Sequence, residues 1–174
     1  MQAKAKIEIP ELGIVPSSPS SYSDFDFFFG TWKIQNRKLR ERLTNCTEWD
    51  EFDAVLECHS VLNGFGNTDT FKADVGGEHF EGMTLRLFDP NTRLWSIYWA
   101  STSNVVLDVP QVGSFDGKTG EFLARDVWNE TPIIVKFLWD KTAENAPTWS
   151  QAFSADEGKT WEWNWYMYMS RLEA

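Results

Sequence analysis

Met83-Thr84-Leu85-Arg86-Leu87-Phe88, then Asp89-Pro90-Asn91-Thr92, then Leu94-Trp95-Ser96-Ile97-Tyr98-Trp99-Ala100 reads as strand, turn and strand. Proline presets the turn, and Asp and Asn bond back onto their own backbone, so the flanking runs fold onto each other as a hairpin. With that turn setting the register, Met83, Leu85 and Leu87 share one face with Trp95, Ile97 and Trp99. Thr84, Arg86, Ser96 and Tyr98 take the other. A wholly apolar face is expected to point inward, which sends Arg86 and Tyr98 to solvent. Turned inward instead, Arg86 and Tyr98 are a polar anchor for a ligand carboxylate or carbonyl.

Working outward from the hairpin, the same punctuation recurs. Asp116-Gly117-Lys118-Thr119-Gly120 and Asp156-Glu157-Gly158-Lys159 are further turns between short apolar or alternating runs. Strands are expected over 31–39, 47–61, 67–74, 80–88, 94–101, 105–115, 121–128, 132–139, 148–154 and 160–172. Pro110 predicts a break within the sixth. Such a meander of about ten strands, with no long helical period, points to an all-β, up-and-down antiparallel β-barrel, because closure removes the sheet edges. Residues 1–22, proline-broken and serine-rich, read as a flexible arm, with Ile7-Glu8-Ile9 a short run able to pair on an edge. Ser23 and Asp26 ahead of Phe27-Phe28-Phe29 predict one capped helical turn that plugs an apolar surface. The barrel domain is then 23–174.

Alternation also sorts inside from outside. Trp161, Trp163, Trp165, Met167, Met169 and Arg171 form the larger, more apolar set of the last strand and are placed inward. Trp149, Gln151 and Phe153 follow, as do Ile133, Val135, Phe137 and Trp139, with Lys136 facing water. Trp32, Ile34 and Asn36 share a face of the first strand.

The chain has 174 residues, of which 16% are aromatic, including 10 Trp and 13 Phe. That is enough chain for a core without staples, and broad rings suit strands and cavity walls. A net charge of −10 argues against a nucleic-acid partner and an anionic membrane surface. Arg37-Lys38-Leu39-Arg40-Glu41-Arg42, the one basic cluster, reads as a solvated strand end. Two cysteines, Cys46 and Cys58, suit neither a zinc site nor a disulfide framework. With no apolar leader in residues 1–10 and no membrane-length apolar run, the expectation is a cytoplasmic location.

Phe27-Phe28-Phe29-Gly30-Thr31-Trp32 resembles the Gly-x-Trp that opens the first strand of lipocalins and related calycins. Arg171 resembles the arginine that packs across that tryptophan to close the barrel. The chain as a whole, over roughly residues 24 to 172, resembles an uncharacterised bacterial family of lipocalin-like proteins known as a domain of unknown function. The matching segments are 26–32, Arg40-Glu41-Arg42-Leu43 leading to Glu48-Trp49, 95–99, 132–139 and Trp149-Ser150-Gln151-Ala152-Phe153-Ser154 through Arg171. The resemblance implies a calycin barrel and brings no established activity.

Candidate chemistry follows from the expected interior. Phe137, Trp149, Trp165 and Met167 would hold a small, mostly apolar molecule, oriented by Asn36 and Gln151. The same amides could equally form a closed internal network that fixes register. A cofactor-free isomerase, cyclase or decarboxylase is the alternative, and it requires a carboxylate, Tyr or His with a perturbed pKa beside the cavity. A haem-binding barrel is a further alternative resting on His59 or His79 as ligand, although the chain lacks the second glycine such barrels carry after the first strand. Asp50, Glu51, Asp53 and Glu57, spread over both faces, read as a solvated wall. A homodimer through exposed aromatics such as Tyr166 and Tyr168 is a third reading. Ser154-Ala155-Asp156-Glu157-Gly158-Lys159-Thr160-Trp161 fits the Asp-box of sialidase-type propellers, but it occurs once, so it reads as a well-made β-turn. No cofactor or metal is expected.

Overall fold

A computed structural model describes residues 12–172; the Ile7-Glu8-Ile9 run lies outside them. Ten antiparallel strands close into one barrel: β1 (Gly30–Leu39), β2 (Trp49–Val61), β3 (Gly66–Val75), β4 (Glu78–Asp89), β5 (Leu94–Ser101), β6 (Gln111–Asp116), β7 (Thr119–Trp128), β8 (Thr131–Asp140), β9 (Thr148–Ser154) and β10 (Glu162–Arg171). Each strand pairs with its sequence neighbours, and β1 pairs with β10 to complete the circle. No helix among the described residues is long and apolar enough to cross a membrane.

Up-and-down order places the connections at two ends. Loops 39–49, 75–78, 101–111, 128–131 and 154–162 gather at one end, the open end. Loops 61–66, 89–94, 116–119 and 140–148 gather at the other. A 3-10 turn, Asp26–Phe28, lies across that second end, the closed end. Ser23 does not cap it with its side chain: the residue before the turn is Phe25, and no side-chain cap bond is made. The turn is held by burial instead. The Phe25 ring meets Trp95, Phe115 and Trp139 edge to face with centroids 5.0–5.5 Å apart, and burying such a ring contributes about 1.5–3 kcal/mol.

The described part of the arm is bonded to this end. Ser17 N donates to Ser114 Oγ at 2.9 Å, Ser17 Oγ donates to the Phe115 carbonyl, and Ser20 Oγ donates to the Arg93 carbonyl at 2.6 Å.

The register of β4 and β5 differs from the sequence expectation by one residue. Asp89 pairs with Leu94, so the connection has four residues, 90–93, with Arg93 at φ 56° donating to the Asp89 carbonyl at 2.7 Å. Thr84, Arg86 and Phe88 therefore oppose Trp99, Ile97 and Trp95 on the inside. Met83, Leu85, Leu87, Ser96 and Tyr98 lie on the outside, and Met83 is exposed. A one-residue slip exchanges the two faces of a strand, so Arg86 is inward and Tyr98 is not. Gly82 belongs to the same design. A Cβ there would lie 2.1 Å from Trp99 Cη2, so the glycine makes room for the indole.

A bulge in β10 produces a second difference. Trp163 pairs with Ala152 but Trp165 pairs with Gln151, leaving Asn164 as the extra residue. Trp165, Met167 and Met169 keep the inward face. Trp163 goes outside, where its ring stacks on Tyr166, and Trp161 lies outside under Lys136 Nζ. The expectation that both line the interior fails because the bulge resets the alternation. Arg171 is exposed rather than interior. The expected sixth strand survives only as 111–116: residues 105–110, ahead of and including Pro110, belong to the open-end loop.

Candidate functional site

The barrel encloses a cavity of about 350 Å³ running from Phe28, Arg86 and Trp139 to Lys38, Arg42 and Trp128 at the open end. Its wall between them includes Ile97, Trp99, Val135, Phe137, Trp149, Phe153, Trp165 and Met167. That volume is at the lower end of the range for small-molecule sites. The rings are set against one another: Phe137 meets Trp149 at 4.9 Å, and Trp149 meets Trp165 at 5.6 Å and 85°.

Of the residues expected to bind a ligand, Phe137, Trp149, Gln151, Trp165 and Met167 line this cavity and Asn36 does not. Asn36 is buried, and its amide is spent on the protein. Its Oδ1 accepts from Trp165 Nε1 at 3.0 Å, and its Nδ2 donates to the Phe52 carbonyl at 3.3 Å. It orients the Trp165 indole. Gln151 Nε2 donates to Oδ1 of the bulge residue Asn164 at 2.8 Å.

Arg86 is the polar group at depth. It is buried, and its Nη1 donates to Asp69 Oδ2 at 2.7 Å and Asn67 Oδ1 at 2.9 Å. Its guanidinium carbon lies 5.1–5.5 Å from the rings of Phe25, Phe28 and Trp139. An arginine encased in rings and paired with a buried carboxylate survives burial because both charges are matched. Tyr98, its expected companion, does not line the cavity.

Trp32 and Arg171 stand at the closed end. Arg171 Cζ lies 4.1 Å from the Trp32 ring centroid, and its Nη1 and Nη2 donate to the carbonyls of Phe29 and Phe27 at 2.7 Å each. Trp32 Nε1 donates to the Phe28 carbonyl at 2.7 Å. These contacts tie the first strand, the last strand and the plugging turn together.

Part of the site was missing from the sequence reading. Lys38 and Arg42, taken there as solvated, are half-buried and line the cavity. Burial pushes the Lys38 ammonium down to about 8, with Arg42 pressing the same way and Asp50 opposing. Lys38 Nζ sits 4.2 Å from the Trp165 ring centroid. The Arg42 guanidinium lies 5.0 Å from the Trp128 ring centroid and 5.6 Å from that of Phe153. Arg37 and Arg40 of the same cluster do face outward, against Glu51, and against Glu48 and Asp50. Continuing the Trp32, Ile34, Asn36 alternation by one step reaches Lys38, so the signal was present in the sequence. Asp108 and Asp126 also line the opening. Burial raises the Asp108 carboxyl, and Asp126 raises it further.

Buried polar side-chain atoms are nearly always bonded. Among the described residues, five buried atoms have no partner: Arg42 Nε, Arg86 Nε, Trp128 Nε1, Trp139 Nε1 and Asp69 Oδ1. Four of these are N–H donors, and all four belong to residues that line the cavity. The fifth is on the carboxylate that holds Arg86. The unmet donors thus belong to the cavity's lining residues.

Other candidates separate from this site. His59 and His79 are exposed and neither lines the cavity, so neither is placed to ligate a haem held in it. Among the described residues, no group of three or more His, Cys, Asp or Glu is arranged to hold a metal. Asp50, Glu51, Asp53 and Glu57 are all exposed. The Ser154–Trp161 segment is a closed turn. Asp156 accepts from Ser154 Oγ, Thr160 N and Thr160 Oγ1 at 2.7–2.9 Å, which holds its carboxyl down to about 2. Gly158, at φ +81°, supplies the left-handed residue. Tyr166 and Tyr168 stack at 6.4 Å on the outer wall beside Trp49 and Trp163. No family model matches the chain, and no curated protein matches it.

Proposed function

We propose that the protein is a binding barrel of the lipocalin-like type, which holds a small, mostly apolar molecule in its interior. The observation that carries this reading is an aromatic cavity of about 350 Å³ lined by the four residues that carry buried, unpartnered N–H donors. A core selected only for stability would have matched those donors or replaced them with hydrocarbon, because each unmet buried donor costs about 1–3 kcal/mol. A ligand with acceptor atoms among its apolar carbons meets them on binding. Phe137, Trp149, Trp165 and Met167 supply apolar contact, Arg86 and Trp139 face the deep end of the molecule, and Asn36 and Gln151 keep the wall in shape.

Titration with N-phenyl-1-naphthylamine, a neutral apolar fluorophore, tests this. Uptake of one molecule per chain with quenching of tryptophan emission is expected, and Val135→Trp, which fills the cavity, abolishes it. Undiminished uptake by a folded Val135→Trp protein places the dye elsewhere and refutes the reading.

One observation favours cofactor-free catalysis instead: the raised Asp108 carboxyl beside Asp126 at the opening, where an acid could protonate a bound molecule. Under that reading Asp108→Asn abolishes turnover of the bound compound without weakening its binding.

A further inference from the structure

Lys38, Arg42 and Trp128 converge on the open end of the cavity from β1, the loop after it, and β7. All three carry N–H groups, and none supplies an acceptor. Among the described residues, neither the Lys38 nor the Arg42 side chain has a carboxylate within ion-pair distance or a hydrogen-bond partner. Arg42 Nε and Trp128 Nε1 are buried and unmet. This is a chain with 26 acidic and 16 basic residues. Its outward cations readily find acids: Lys33 meets Asp53 at 2.9 Å, Arg40 meets Asp50 at 2.7 Å, and Lys118 meets Glu144 at 2.7 Å.

The carboxylates nearest the opening do not fill the gap. Asp126 acts on Asp108, which takes a bond from Asn104 Nδ2 at 3.3 Å, and neither carboxylate is among the charges acting on Lys38 or Arg42. Lys38 feels Arg42 and Asp50, and Arg42 feels Glu162, whose two oxygens already accept from Leu43 N at 2.9 Å. Two half-buried cations stacked on indole and phenyl rings, with donors left over, lack an anion.

We infer that the ligand of this cavity is an amphipathic organic acid, its single anionic head seated against Lys38, Arg42 and Trp128 and its apolar body running down between Trp149, Trp165 and Phe137. The inference rests on the binding reading above and adds the chemical class of the ligand. The head takes charge-assisted bonds from two cations and a bond from the indole N–H, in a setting where rings exclude water and strengthen them. Asp108 and Asp126 repel a second negative group, which limits the ligand to one.

A matched pair of dyes tests the head separately from the body. 1-Anilinonaphthalene-8-sulfonate is N-phenyl-1-naphthylamine with one sulfonate added. The sulfonate dye is expected to bind at least about tenfold tighter, the scale of one charge-assisted bond, despite the negative net charge of the chain. In Lys38→Met/Arg42→Met the ratio of the two affinities falls to about one. In Lys33→Met/Arg40→Met, which removes the same charge from the outer wall, the ratio is kept. Should the methionine pair fail to fold, Lys38→Gln/Arg42→Gln takes its place. A ratio near one in the unaltered protein, or a high ratio that survives loss of Lys38 and Arg42, overturns the anionic head while leaving the cavity intact. Failure of both dyes to bind overturns the cavity as well.

Discussion

The plug at the closed end and the wall of the cavity treat their tryptophans differently. At the closed end Trp32 Nε1 donates to the Phe28 carbonyl and Trp95 Nε1 to the Ser21 carbonyl, at 2.7 and 3.1 Å. Arg171 spends its guanidinium on two carbonyls there, and Lys141 Nζ donates to the Asp24 carbonyl at 2.7 Å. Along the cavity Trp139 and Trp128 keep their N–H groups unmet, and so do Arg86 and Arg42 in part. Both sets are aromatic and both are buried. The difference teaches that ring content alone does not distinguish a seal from a site; the fate of the polar atoms does. A seal satisfies itself, and a site leaves groups for a visitor.

The contrast can be broken most forcefully at depth. Arg86→Met strands Asp69 in the interior and is expected to cost about 3–5 kcal/mol in denaturant unfolding. Arg86→Met with Asp69→Leu recovers most of that, because it removes both charges. Trp32→Ala opens a cavity at the closed end and costs a comparable 3–5 kcal/mol. At the open end the expectation reverses. Arg42→Met changes unfolding free energy by no more than about 1 kcal/mol, since no hydrogen bond or ion pair is lost and the thioether keeps contact with the Trp128 and Phe153 rings. Equal losses for Trp32→Ala and Arg42→Met would erase the distinction between seal and site.

Lys38 sharpens the comparison through pH. Its folded value of about 8 lies below the 10.5 of an ordinary lysine. Below pH 8 the ammonium is charged in both states, and the folded state bears the burial penalty. Between about 8 and 10.5 the unfolded chain holds a proton the folded one has released, so this group makes stability rise with pH. Lys38→Met removes that rise. Binding of an anion draws the other way, weakening as pH passes through about 8.

The smallest expected effect concerns the thiols. Burial pushes Cys58 up to about 12, so iodoacetamide at pH 8 should label Cys46 alone. Rapid labelling of Cys58 in the native protein would show that the wall opens.

Most of the architecture was legible in the sequence. Turn residues and apolar runs place ten strands, and β5 and β9 fall on their expected residues. What alternation could not show was where its phase is reset. Arg93 and Asn164 each shift the count by one, and neither carries a signal that separates it from an ordinary turn or strand residue. Hydropathy then misdirected the hairpin, because Met83, Leu85 and Leu87 are the more apolar set yet lie outside, while Arg86 lies inside. The partners Asp69 and Asn67, seventeen and nineteen residues away, make that placement tolerable. Where phase held, as at Phe137, Trp149 and Met167, the residues face the cavity as alternation placed them. The cations at the opening were missed because a basic run in an acidic chain resembles solvated surface.

The most direct test of the division between seal and site is an NMR titration of the indole N–H resonances with N-phenyl-1-naphthylamine. The account predicts that Trp128, Trp139 and Trp149 shift on binding, while Trp32 and Trp95, bonded at the closed end, and Trp163, on the outer wall, stay in place. Shifts confined to Trp163 and Trp49, with the interior indoles unmoved, would contradict it.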